Sequence, residues 1–432
     1  MPLSLMPPAL SPDSAVPYAA AAAPSTPLGP FVDSAVAWTT WVTLMGFVGL
    51  VALALLAAIP AAARAAPGAV PAVTARIARA ALVVGVLAVP AVLTELAQGA
   101  AHNGGYDYAA AWNSLYDGSN DGRLSGLEVT FSLVGAALLA PLTSARVAAG
   151  RARRRLLGAG LAAGVVALGS TRFPDAMPDG DWGRTVFSTL MWMLHLIGGG
   201  VWLGGLAGLL LLAAPGAARD AVPDAARSAF WSGVIRRFSL CATGSVAAIT
   251  LSGLFLYWEH VDGPSQLLST MYGRVLGVKI LIFGALLLLG AFNQFWLHPR
   301  IEALRAAGDQ RPLRTVLLRR FPLVVAVEVV LGLLLLFVAP FLHGSARNQA
   351  YQARVAEHSA VAVPAKRLPR LAPKQADAST WVWGTLETLA VAGLTGAGYR
   401  YSGRLARRRA TAAAPAAPAA AGPLRAQDLT EA

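Results

Sequence analysis

Nine stretches of this 432-residue chain are apolar for long enough to cross a lipid bilayer, and this limits the fold more than any other feature. A hydrocarbon core of about 30 Å takes roughly 20 residues of helix. Backbone N–H and C=O groups find no water at that depth, so each crossing must bond its own backbone, and runs of this length do so as helices. The stretches are 36–59, 77–97, 124–142, 156–171, 185–214, 238–258, 275–297, 321–342 and 380–399. The expectation is an all-α, polytopic transmembrane helical bundle of about nine spans. A composition of 56% hydrophobic and 13% charged residues fits that class and not a string of soluble domains.

The net charge of +13 follows from topology. Of 35 Lys and Arg residues, 24 lie in the connections after spans one, three, five and seven or in the C-terminal tail. The short loops on the other side hold four: Arg123, Arg172, Arg184 and Arg274. By the positive-inside rule the N-terminus is expected outside and the C-terminus in the cytoplasm. No basic patch is interleaved with aromatic residues, so nucleic acid is excluded as a partner and the lipid bilayer takes its place. The Ala- and Pro-rich ends, 1–34 and 401–432, read as disordered outer and cytoplasmic tails. Between them the chain divides into a first four-helix membrane unit at 35–172, a second at 185–345, an outer connection at 346–379 and a ninth span at 380–400.

The first eight spans form two sets of four. Leu55 to Arg64, LLAAIPAAAR, resembles Leu210 to Arg219, LLLAAPGAAR, at a spacing of 155 residues. Gly122-Arg123 with Gly126 and Glu128 resembles Gly273-Arg274 with Gly277 and Lys279, at a spacing of 151. Units with an even number of spans share one orientation, so the copies would be related by an axis along the membrane normal, a 4+4 parallel repeat. Glu128 and Lys279 then lie at equivalent depths, where they either pair across that axis or reach separately for the surface.

The chemistry concentrates in the second unit. His195 lies in MWMLHLIGGGVWLGGLAGLLLL, residues 191–212, about 15 Å in from Thr185 and so near the bilayer midplane. An ionisable group at that depth marks a functional site by default. Met191 precedes it by four residues on the same helical face, and a thioether with an imidazole suits Cu(I) better than hard divalent ions. The structural alternative is that His195 only hydrogen-bonds a neighbouring helix. His260, Asp262, Met271 and His343 on the outer side, with His102 after span two, would make an entrance for a cation. Cys241 and His298 lie near the inner mouth, and Glu328 is a carboxylate within span eight that needs a partner or a proton. Cys241 is the only cysteine, which rules out an intrachain disulfide and a CxxC metal site. Nucleotide, metalloprotease and serine-hydrolase motifs are absent, and the chain is read as a non-enzyme.

The series Leu194-His195, Val201-Trp202-Leu203-Gly204-Gly205, Arg237-Phe238-Ser239, Ser252-Gly253, Tyr272-Gly273-Arg274 with Lys279, Gly290-Ala291-Phe292-Asn293 and Glu328 resembles the bacterial copper-resistance D (CopD) family. The resemblance covers about 185–345 and extends more weakly over the first four spans. It implies copper uptake across the inner (plasma) membrane, often beside an extracytoplasmic copper-binding partner. The chain departs from the family at Gly169-Ser170-Thr171, where members often carry Gly-His-Ala. The expected function is copper ion transport contributing to copper homeostasis or resistance. Cu(I) would be captured near His260, His343 and His102, passed by Met191 and His195, and released near Cys241 and His298, with Lys279, Glu128 and Glu328 setting the electrostatics. Two other classes fit the same residues: a haem-binding electron-transfer membrane protein, and an assembly factor delivering copper to a respiratory oxidase.

Overall fold

The computed structural model describes residues 31–101, 105–174, 182–214, 221–292, 321–342, 344–358, 371–372, 374–375 and 378–412. His102, His298 and His343, all expected to meet the metal, lie outside the described residues. Every regular element among the described residues is helical. The chain runs through α1 (Phe31–Leu53), α2 (Ile59–Ala65), α3 (Val70–Ala100), α4 (Tyr108–Ser114), α5 (Asn120–Leu139), α6 (Ala145–Ala148) and α7 (Arg153–Ser170). It continues through α8 (Trp182–Ala213), α9 (Asp224–His260), α10 (Gln266–Ser269), α11 (Met271–Phe292), α12 (Phe321–Val338), α13 (Ala346–Glu357) and α14 (Ala378–Ala412).

Seven helical segments among the described residues are long and apolar enough to cross a membrane. The fourth and ninth expected spans are helical too, as α7 and α14, but they are not among these seven. α7 opens on Arg153, Arg154 and Arg155, which shortens its apolar length, and α14 ends in a run of arginines. The outward faces are apolar: Leu281 and Leu288 on α11 are each 74% exposed, and Val83, Leu87 and Leu133 are also turned outward. Such a surface has its natural solvent in lipid.

α1 and α2 form one continuous rod, joined by a π turn at Ala54–Ala58. Pro60 has no N–H and its ring crowds the preceding turn. The wider turn absorbs this, with the Ile59 N–H donating back five residues to Ala54 O.

Helix α8 holds the centre of the bundle, packed against α1 on one side and α9 on the other, with α12 beside it. Its glycines make this possible. A Cβ placed on Gly204 would fall 2.7 Å from Gly49 Cα and 2.8 Å from Met45 O, and one on Gly198 would fall 3.1 Å from Ser245 O. α1 and α8 therefore touch backbone to backbone, the contact that small residues provide in membranes. Along this seam Met45 meets Gly200, Gly49 meets Gly204 and Leu53 meets Gly208, three contacts that each span 155 residues.

Gly122 and Gly273 share another local geometry. Each begins a span after a short helix, and a Cβ on either would strike a carbonyl of that helix, Ser114 O for Gly122 and Gln266 O for Gly273. Neither site tolerates a side chain without moving backbone.

Candidate metal-transfer cavity

His195 leaves the α1–α8 seam and faces α9. Its Nδ1 lies 3.0 Å from Ser252 Oγ. The Ser252 hydroxyl has one proton and lies 2.7 Å from Ala248 O and 3.1 Å from Ile249 O, both of which only accept. Spending the proton on the shorter of these contacts makes His195 Nδ1 the donor to Oγ. In the neutral ring this puts the lone pair on Nε2, a tautomer that can ligate a metal. The hydrogen bond to a neighbouring helix is thus present, and it fixes the orientation of the imidazole.

His195 lines a cavity of about 310 Å³ with Met45, Arg172, His260, Tyr272 and Lys279. His260 ends α9, and its Nδ1 lies 2.8 Å from Leu256 O. A carbonyl cannot donate, so Nδ1 carries a hydrogen, and in the neutral ring the lone pair lies on Nε2. Its ring stacks on Tyr272 at 5.8 Å between centroids and 8° between planes. Trp192 meets the His195 ring edge-on at 6.3 Å. Arg172 is held over two indoles, 4.6 Å from the Trp192 centroid and 5.4 Å from that of Trp41. Cation–π contacts of this kind fix a guanidinium without neutralising it.

A second cavity of about 260 Å³ lies between α8, α9, α11, α12 and α14, lined in part by Ser239, Gly290 and Thr395. Trp202, Leu206, Leu286 and Glu328 line both cavities. These four side chains form the wall between them. Glu328 is buried at 5% exposure.

The remaining expected site residues are dispersed. Met191 does not line the cavity, and the thioether there belongs to Met45, across the seam on α1. Cys241 is half-buried on α9 and lines neither cavity. Asp262 is engaged elsewhere, 2.8 Å from Arg347 Nε and 3.5 Å from Lys374 Nζ. Among the described residues no group of three or more His, Cys, Asp or Glu side chains is arranged to hold a metal ion. Glu128 and Lys279 form no ion pair with each other among the described residues. Glu128 is buried, within electrostatic range of Glu95, whereas Lys279 turns into the cavity beside His195.

Met45, Trp192 and Arg172 join the site without having been singled out as site residues in the sequence. The nearest signal for Arg172 is its place just after the tripeptide that departs from the family pattern. For Met45 it is the 155-residue spacing, which sets α1 against the glycines following His195.

With this geometry in place, comparison with known proteins supplies a family. Residues 232–342 match the family described as copper resistance protein D. That segment, which holds Ser252, His260, Tyr272, Lys279 and Glu328, is similar to the CopD family over about a quarter of the chain. It is also similar to the copper transport protein CutJ of Bacillus subtilis (strain 168), with 36% identity over 104 residues. The match covers 24% of this chain and 18% of the length of that relative. No solved structure matches the chain.

Proposed function

We propose that this chain is a multi-pass copper transporter of the bacterial plasma membrane that takes up Cu(I) and contributes to copper homeostasis or resistance. One observation carries the reading: His195, whose Nδ1 is tied to Ser252, lines a cavity that Met45 and His260 also line. Two imidazoles and a thioether are the donor set that a soft monovalent ion prefers. The His195 side of the cavity receives the ion, and Met45 fills the role expected of Met191. From there it crosses the wall at Trp202, Leu206, Leu286 and Glu328 into the second cavity.

His343 and His102 belong with His260 at the entrance, and Cys241 and His298 with the exit. The N-terminus lies outside and the C-terminus in the cytoplasm, with an extracytoplasmic copper-binding protein as donor. α7 and α14 complete nine spans, and the first eight form a 4+4 parallel repeat. The facing pairs spaced 155 residues apart along α1 and α8, and the shared environments of Gly122 and Gly273, support the repeat. Two halves related by an axis along the seam bring equivalent residues of α1 and α8 face to face. The chemistry is transfer between ligands, with no covalent turnover.

Copper accumulation in cells expressing wild type or His195→Ala tests the proposal. Uptake should fall to the background of cells lacking the protein. Equal uptake at equal protein levels removes His195 from the mechanism.

A further inference from the structure

The cavity around His195 carries more positive charge than a site for a bare cation should. Arg172 and Lys279 both line it, and each lies within electrostatic range of the other. Neither makes an ion pair or a side-chain hydrogen bond among the described residues. Arg172 is fixed by the faces of Trp41 and Trp192 and keeps its full charge. The Glu95 field reaches Arg172, and Glu328 sits at the wall with the second cavity, but neither forms an ion pair with either cation among the described residues. Apart from the two imidazoles, the charged cavity-lining groups are two positive and one negative. A bare Cu(I) would meet repulsion from both cations.

We propose that Arg172 and Lys279 form a binding site for a small monovalent anion, such as chloride, in the cavity that holds His195. Lys279 is half-buried and Arg172 reaches the surface at the cavity's edge, and two cations facing one space are stabilised together by one shared counter-charge. The indoles fix the guanidinium in place, and the Lys279 ammonium offers three donors on a flexible stem. Resting on the copper reading above, the anion has a second role. Cu(I) would reach His195 with its charge offset, as a complex ligated by halide or carboxylate and not as the bare ion. Ligand exchange then passes copper to His195 Nε2 and releases the anion to the two cations, with no change in oxidation state. The anion site itself requires no copper.

The test is chloride binding to the copper-free, full-length protein in discs of zwitterionic lipid, read as chlorine NMR line broadening in excess of empty discs. Wild type should show a saturable component. Arg172→Gln and Lys279→Gln should each weaken it by about tenfold or more, since one unit charge at close range is removed from a partly desolvated site. Lys279→Arg should restore it, which guards against loss by misfolding, and His195→Ala should leave it in place. An equal saturable component in wild type and both glutamine variants overturns the proposal, as does its absence from wild type. A component present in zwitterionic discs and lost in phosphatidylglycerol discs assigns the site to lipid phosphate and overturns the small-anion assignment. Copper takes no part in the measurement, so failure of the transport reading leaves its outcome intact.

Discussion

His195 Nδ1 and Ser252 Oγ sit 3.0 Å apart across the α8–α9 contact, and this pair decides which imidazole nitrogen is left for the cavity. Ser252→Ala removes the hydroxyl acceptor and leaves the ring with the Ile249 carbonyl alone. The variant should lose about 1 kcal/mol of stability, the usual worth of a neutral hydrogen bond. Losing the group that orients a ligand should weaken copper binding by about 10- to 100-fold. Thermal unfolding in detergent and copper titration of the purified protein read the two effects separately.

The two methionines near His195 in sequence and in space make opposite predictions. Met45→Leu removes a thioether that lines the cavity and should lower copper accumulation. Met191→Leu changes a residue outside the cavity and should leave uptake near wild type. Both swaps conserve volume, so neither should cost more than about 1.5 kcal/mol of stability. Reversal of the two phenotypes would return the soft ligand to the helical face of His195.

The α1–α8 seam has no room for added atoms. Gly204→Val places a branched side chain where Gly49 Cα and Met45 O already lie within 2.8 Å of a single added carbon. Overpacking of this kind costs about 1–3 kcal/mol, or more when backbone must move. Gly284, on α11, meets nothing within 4 Å of an added carbon, so Gly284→Ala should be nearly neutral. Melting temperatures and yields of folded protein should separate the two variants.

Glu328→Gln tests the wall between the cavities. The substitution keeps size and removes a negative charge from the boundary that both spaces share. Copper loading of the purified protein, measured as stoichiometry, should stay at the wild-type level, because the His195 ligands remain. Transport into vesicles should fall severalfold, since the ion must pass a boundary that no longer offsets its charge. Unchanged transport would take the carboxylate out of the path.

The bundle was legible because its signal is long-range and redundant. An apolar run of about 20 residues needs no partner to be recognised. His195 was legible for a related reason, since an imidazole amid such a run has few structural uses. The partners of these groups were not legible. Met45 and Met191 are chemically alike, and only the approach of α1 to the glycines of α8 places the first of them in the cavity. Arg172 reads in the sequence as a loop arginine, whereas in the fold Trp41 and Trp192, from two different helices, hold its guanidinium. Glu128 and Lys279 share a sequence pattern, but the first is buried within range of Glu95 and the second turns toward His195. Periodicity along one helix carries no information about which neighbour it meets.

The wall of Trp202, Leu206, Leu286 and Glu328 has a kinetic consequence. A partition made of side chains yields to rotation about their own bonds, which is intrinsically faster than the microsecond-to-millisecond sliding or hinging of whole helices. The glycine seam beside it resists helix displacement, because backbones already in contact have no slack to give. On the proposed route, passage is set by how often one indole and three smaller side chains stand aside together, and enlarging Leu206 or Leu286 should slow copper transport without altering how tightly the first cavity holds copper.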